Sequence, residues 1–181
     1  KLGYKSIILN NQDDFLNIKT LILPGVGSFD YGMEKLNDLN LIEPMTNHAV
    51  IEKKLTIGIC LGMQLMMNSS EEGGLAGLGW FKDKVIKFNF SDNSMKVPHM
   101  GWNYVKSSNK IFNNSFEEQR FYFVHSYFVP INKNYTIAQT NYGDQKFSSA
   151  ICENNIYGFQ FHPEKSHKYG MELLSNLFNK T

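Results

Sequence analysis

The chain has 181 residues, 42% hydrophobic and 14% aromatic, enough to enclose one sizeable core and with no sign of a second domain. Its 18 basic and 17 acidic side chains leave a formal net charge of +1 and are scattered, which excludes the basic footprint of a nucleic-acid or anionic-membrane binder. Two cysteines, Cys60 and Cys152, are too few for a disulfide framework, no apolar run nears the ~18 residues of a membrane span, and no signal-like block opens the chain, so a soluble cytoplasmic protein is expected.

Residues 1–5 read as the tail of a helix stopped by Gly3, followed by a short strand over residues 6–9. Residues 20–23 form an apolar strand that ends in the turn-rich loop Pro24-Gly25-Val26-Gly27-Ser28. A helix follows, with Phe29, Met33, Leu36 and Leu39 at helical spacing, and residues 41–51 continue as a second helical segment. The strand at residues 55–59 then feeds a helix over residues 63–67. Strand, helix, strand, helix implies parallel pairing under right-handed crossovers, hence an α/β fold with a layered sheet. After residue 74 the pattern turns β-rich, with strands expected at 84–90, 102–106, 121–129, 135–140, 146–152 and 156–161, many of them antiparallel. A closing helix over 169–178 places Met171, Leu174, Leu177 and Phe178 on one face.

Within this pattern, Gly58-Ile59-Cys60-Leu61-Gly62 sets a cysteine between glycines at a strand-to-helix turn, the form of a nucleophile elbow. The helix N-terminus would favour thiolate and bring the thiol below its ordinary ~8.5. Cys60 is therefore the candidate nucleophile, although a small buried cysteine would look the same in isolation. Near the end of the chain, His162-Pro163-Glu164 closes an apolar strand. Positions i and i+2 of an extended backbone project to one side, so His162 can act as base with Glu164 orienting its ring. A surface turn is the bland alternative, and a metal set of His162, Glu164 and His167 matches no zinc spacing. No metal or cofactor is expected.

Acyl transfer needs donors for a developing oxyanion. The amide of Leu61 is the natural first, and the Gly25-Val26-Gly27 turn is suited to supply a second. Gln64, one helical turn beyond Cys60, either touches substrate or is an ordinary helix-surface residue. His125-Ser126-Tyr127 offers backbone and hydroxyl groups for recognition, with His125 equally readable as a satisfied core histidine.

These blocks, together with Val97-Pro98-His99-Met100-Gly101-Trp102-Asn103, closely resemble class I glutamine amidotransferases, and within them most of all the glutaminase subunits of imidazole glycerol phosphate synthase. The resemblance runs in order along essentially the whole chain. It implies a three-layer fold with a mainly parallel central sheet, flanking helices and added antiparallel strands. It also implies that Cys60 attacks the side-chain amide of L-glutamine, with His162 as acid and base and Glu164 as orienter. Val26 or Gly27 would belong to the oxyanion strand, and Gly25, Gln64, Ser126 and Tyr127 to the glutamine pocket. Met100, Trp102, Tyr122 and Lys165 would face a partner, a (β/α)8-barrel cyclase that receives the ammonia.

There are two departures from the family pattern. Members usually open with a strand and helix carrying a Tyr-Gly-x-Gly-Asn-like segment that this sequence lacks, which suggests a missing N-terminal piece. Gly77-Leu78-Gly79-Trp80 and the turn at 166–170 look instead like paralogues that feed nucleotide-sugar amination for surface polysaccharides. A stand-alone cysteine hydrolase and a thiol sensor are the remaining alternatives.

Overall fold

Three short apolar segments pair in parallel in the main sheet: two are buried on both faces, as parallel strands under helices are, and the third alternates, with Ile22 45% exposed. In the computed structural model, which describes residues 2–90, 95–112 and 118–179, these are β1 (Thr20–Leu23), β2 (Leu55–Ile59) and β11 (Ile156–Phe159). β1 reaches β2 through α1 (Phe29–Asp38), α2 (Ile42–Thr46) and a π-helical turn at Asn47–Ile51. The register runs Thr20↔Leu55 to Leu23↔Gly58 and Thr56↔Ile156 to Ile59↔Phe159. Antiparallel strands extend this sheet through β10 (Gln145–Glu153) and β9 (Thr136–Tyr142) to β6 (Lys106–Ser107). Small sheets complete the β-rich part: β3 (Ser69–Ser70) with β4 (Lys84–Lys87) and β8 (Tyr127–Phe128), and the ribbon of β5 (His99–Tyr104) with β7 (Arg120–His125).

Helices cover both faces of the main sheet. On one side, Leu173 and Leu177 of α4 (His167–Phe178) pack against Phe121, Phe159 and Phe161. On the other, α1 and α3 (Leu61–Leu65) pack against β1 through Phe29, Met33, Leu36, Leu61 and Leu65. The buried stripe of α4 is Gly170, Leu173 and Leu177, so the expected face of Met171, Leu174 and Phe178 is turned by about one position. Among the described residues, no helix is long and apolar enough to cross a membrane.

The strand expected at residues 6–9 does not form. Ile7 and Ile8 are 67% and 84% exposed, and an extended segment without a neighbour to satisfy its amides and carbonyls has nothing to hold it as a strand. Order begins instead at a capping box, where Asn11 Oδ1 accepts from the amides of Asp13 and Asp14, and Asp14 answers the Asn11 amide. Lys1 of the expected helix tail lies outside the described residues, and residues 2–5 are not helical.

α3 lies unusually close to the sheet. A Cβ added at Gly62 would stand 1.8 Å from the Leu23 carbonyl oxygen, and one added at Gly58 would stand 2.7 Å from the Met63 amide nitrogen. At Gly158, paired with Gly58 across β2 and β11, an added Cβ would meet the side chains of Met63 at 2.7 Å and Ile151 at 2.8 Å. Replacing Gly62→Ala is therefore expected to cost about 3 kcal/mol of stability by overpacking against backbone. Thermal unfolding checks this against Gly74→Ala, whose added Cβ meets nothing within 4 Å and whose melting temperature should stay put.

Candidate active site

Paired ends of β2 and β11 place residues 60 and 160 side by side, as expected where parallel strands of an α/β sheet deliver their carboxyl ends. The Cys60 amide donates to the Phe159 carbonyl at 2.7 Å, which ties the elbow to the neighbouring strand. Cys60 itself sits at φ 53°, ψ −110°, a left-handed conformation that a side chain adopts only when its surroundings hold it there. Its sulfur lies 3.7 Å from the Val124 carbonyl oxygen and receives the Gln160 Nε2–H at 3.8 Å.

Two residues beyond Gln160, His162 is buried and its Nδ1 lies 2.7 Å from Glu164 Oε1. A carboxylate only accepts, so Nδ1 carries the proton and Nε2 of the neutral ring presents a lone pair. That Nε2 is buried and has no hydrogen-bond partner among the described residues. The turn holding it is clamped from β7: Ser166 Oγ donates to the His162 carbonyl at 2.6 Å and accepts the Tyr122 amide at 3.0 Å.

Cys60 and His162 line one cavity of about 300 Å³ together with Val26, Gly27, Leu61, Gln64, Glu72, Val124, Ser126 and Tyr127. Val26, 78% exposed, stands at its rim. Gly25 does not line it. A Cβ there would meet Leu61 Cβ at 2.8 Å, so Gly25 serves by letting its loop press against the start of α3. Gln64 is buried, and its Nε2 donates to both the Tyr127 carbonyl at 2.8 Å and Gln160 Oε1 at 3.0 Å, which excludes the helix-surface reading. His125 also borders the cavity, but both ring nitrogens are taken, by the Tyr127 carbonyl at 2.8 Å and by His99 at 3.0 Å. Its ring therefore has no hydrogen bond left for a ligand.

A second face forms outside the cavity. Trp102 pairs with Tyr122 across β5 and β7, Lys165 Nζ sits 5.9 Å from the Tyr122 ring centroid, and Met100 follows on the same strand side. Met100 and Trp102 are 62% and 45% exposed. His167 stacks on Trp102 with ring centroids 5.6 Å apart, away from any shared role with His162 and Glu164.

Comparison with known proteins places the chain in a family. A family model described as glutamine amidotransferase class-I matches residues 1–181. The chain belongs to the class I glutamine amidotransferases. Among similar relatives, imidazole glycerol phosphate synthase subunit HisH 2 of Methanococcus maripaludis is 50% identical, covering 99% of this chain and 90% of the relative. The subunit of the same name from Pseudomonas aeruginosa is 44% identical, covering 97% and 88%. A crystal structure of a glutamine amidotransferase overlays with a TM-score of 0.71 at 14% identity, covering 98% of this chain and 88% of that one, and so speaks to the fold alone.

In this amidotransferase the sequence reading missed Pro98, Val124 and Glu72 of the cavity wall and Gln160, which lies behind it against the Cys60 sulfur. Gln160 is fully buried on the strand side that carries His162, and the i, i+2 rule that joined His162 to Glu164 would have reached it. Glu72 left no such signal. It is brought to the cavity from a loop and its Oε2 accepts the Phe29 amide at 2.8 Å, capping α1 where Ser28 makes no side-chain cap.

The electrostatics overturn one expectation. Burial pushes the Cys60 thiol up to about 11, against the Leu61 amide that pulls it down, with smaller opposing effects from Glu164, Lys165 and the Gln160 amide. A five-residue helix has too little dipole to offset that desolvation. In the free protein, alkylation of Cys60 by iodoacetamide should accordingly be slow at neutral pH and keep rising toward pH 11. Peptide mapping by mass spectrometry checks it; a rate already level near pH 7 would show a preformed thiolate.

Proposed function

We propose that this single-domain chain is the glutaminase subunit of imidazole glycerol phosphate synthase, hydrolysing L-glutamine with Cys60, His162 and Glu164. The observation that carries the reading is that His162, whose Nε2 has no hydrogen-bond partner among the described residues, lines the same cavity as Cys60, under family membership over the whole chain. A thiol kept neutral by burial needs a base at the moment of attack, and His162 supplies it.

The Cys60 proton passes to His162 Nε2 as sulfur bonds to the glutamine side-chain carbonyl carbon. The oxygen becomes an oxyanion, held by the Leu61 amide and a donor from the Val26–Gly27 turn. Collapse breaks the carbon–nitrogen bond, His162 returns its proton to the nitrogen, and ammonia leaves a γ-glutamyl thioester. Water, deprotonated by His162, then releases glutamate and restores the thiol. Gln64, Ser126 and Tyr127 shape the pocket, and the Glu72 carboxylate suits the substrate ammonium.

Ammonia passes to a (β/α)8-barrel cyclase, which adds it to a phosphoribulosyl-formimino intermediate to form imidazole glycerol phosphate and an aminoimidazole carboxamide ribotide. The apolar face of Met100, Trp102 and Tyr122, with Lys165 at its edge, is where that partner docks to form a heterodimer. A nucleophile that must stay reduced fits the cytoplasm.

The test is to mix the chain with a cognate cyclase, supply glutamine, and follow glutamate release with the cyclase substrate or with a nucleotide-sugar acceptor. Stimulation by the sugar system alone would remove the histidine-pathway assignment and leave the glutaminase. In the same assay Cys60→Ala should lower turnover by about 10³-fold or more, and Glu164→Gln should cost less than His162→Ala. Trp102→Ala should weaken partner-stimulated activity and leave the melting transition in place; loss of the transition would make Trp102 a core residue.

A further inference from the structure

The Tyr127 carbonyl is a junction. It accepts from Gln64 Nε2 on one side and from His125 Nδ1 on the other, each at 2.8 Å. Because a carbonyl only accepts, every proton along both arms is fixed. One arm runs through Gln64 and Gln160 to the Cys60 sulfur. On the other, His125 carries its proton on Nδ1, so Nε2 of the neutral ring must accept, and His99 Nδ1–H must donate across 3.0 Å. His99 Nε2 is then the acceptor, filled by Asn103 Nδ2 at 3.2 Å, and Asn103 also donates to the Asn141 carbonyl at 3.0 Å.

We infer that His99, which does not line the cavity, is a positioning residue that sets the glutamine pocket through His125 and the Tyr127 carbonyl, an inference resting on the glutaminase reading. Two observations carry it. The pair is a directly opposed cross-strand couple, His99↔His125, so its hydrogen bond spans β5 and β7 at the point where the ribbon meets the pocket. The chain also tolerates only uncharged rings, since a second ring proton on either histidine would set donor against donor. Burial agrees, holding His99 down to about 4 and His125 to about 3. His99 and Asn103 hang from the inner side of β5 while Met100 and Trp102 project from its outer side, so one strand carries both the relay and the proposed docking face.

Two substitutions separate positioning from mere packing. His99→Phe keeps an aromatic ring between Phe123 and Tyr142, on which His99 stacks at 4.8 and 4.0 Å, but deletes the donor to His125. His99→Asn sacrifices the stack and keeps a donor. With the cognate cyclase present, His99→Phe should raise the KM for glutamine about tenfold, with a smaller change in kcat and little change in melting temperature. His99→Asn should melt lower and hold KM within about twofold. If KM tracks melting temperature across the two, or if His99→Phe leaves KM unchanged, His99 is only packing. Nitrogen-15 NMR of the rings reads the relay without any turnover: His125 should be the Nδ1-protonated tautomer throughout, fixed by the Tyr127 carbonyl, and its Nε2 shift should report an accepted hydrogen bond in wild type and His99→Asn and lose it in His99→Phe. A wild type that hydrolyses no glutamine sinks the glutaminase reading, and a wild-type His125 protonated at Nε2 sinks the relay.

Discussion

The close seating of α3 on the parallel strands is the constraint from which the site follows. Helix and sheet approach until only hydrogen fits at Gly58, Gly62 and Gly158, and that approach leaves Cys60 no route from strand to helix except the left-handed turn it adopts. The hydrogen bond from the Cys60 amide to the Phe159 carbonyl then locks the elbow to the next strand. Packing thus stores the strain that lifts the sulfur into the cavity, and the register of β2 with β11 decides which residues meet it there.

Burial that shapes the elbow also silences it. A sulfur removed from water is kept as thiol, because the charged form loses more in desolvation than the Leu61 amide and the Gln160 side chain return. Beside it stands a histidine whose protonated nitrogen is pinned to Glu164 and whose other nitrogen has no hydrogen-bond partner among the described residues. Under the proposed mechanism reactivity is accordingly conditional: it depends on proton transfer at the moment of attack, so a thiol of this kind would not react indiscriminately with solutes that fail to fill the cavity.

Much of this was legible in residues alone, for a physical reason. β1, β2 and β11 are short apolar runs bounded by turn residues, and the helical spacing of Phe29, Met33 and Leu36 survives as the buried face of α1. Local periodicity and turn chemistry wrote those elements. What could not be read is what depends on distant partners. Residues 6–9 have strand composition but no neighbour to pair with among the described residues, Glu72 reaches α1 across 43 positions, and the ring partners of His125 are visible only when β5 lies beside β7. The state of the thiol was misjudged because a dipole is a sequence-local idea, and desolvation is a property of the finished core.

Two structural halves meet at the cavity, and they differ in what they can transmit. The parallel half supplies Cys60, Gln160 and His162 from rigid strand ends under a closely packed helix. The β5–β7 ribbon supplies Val124, His125 and the path to Tyr127, and it packs inward through aromatic rings, with an outward row of large exposed side chains. A contact made on that outer row bears on the ribbon, and through the ribbon on the Tyr127 carbonyl, before it reaches the sulfur. Since the hydrogen bonds on both sides of that carbonyl have only one workable direction, a small displacement of the ribbon cannot be absorbed by reversing a donor. It must move Gln64 or break a bond, which gives the exposed face a mechanical route to the chemistry that the well-seated elbow alone would lack.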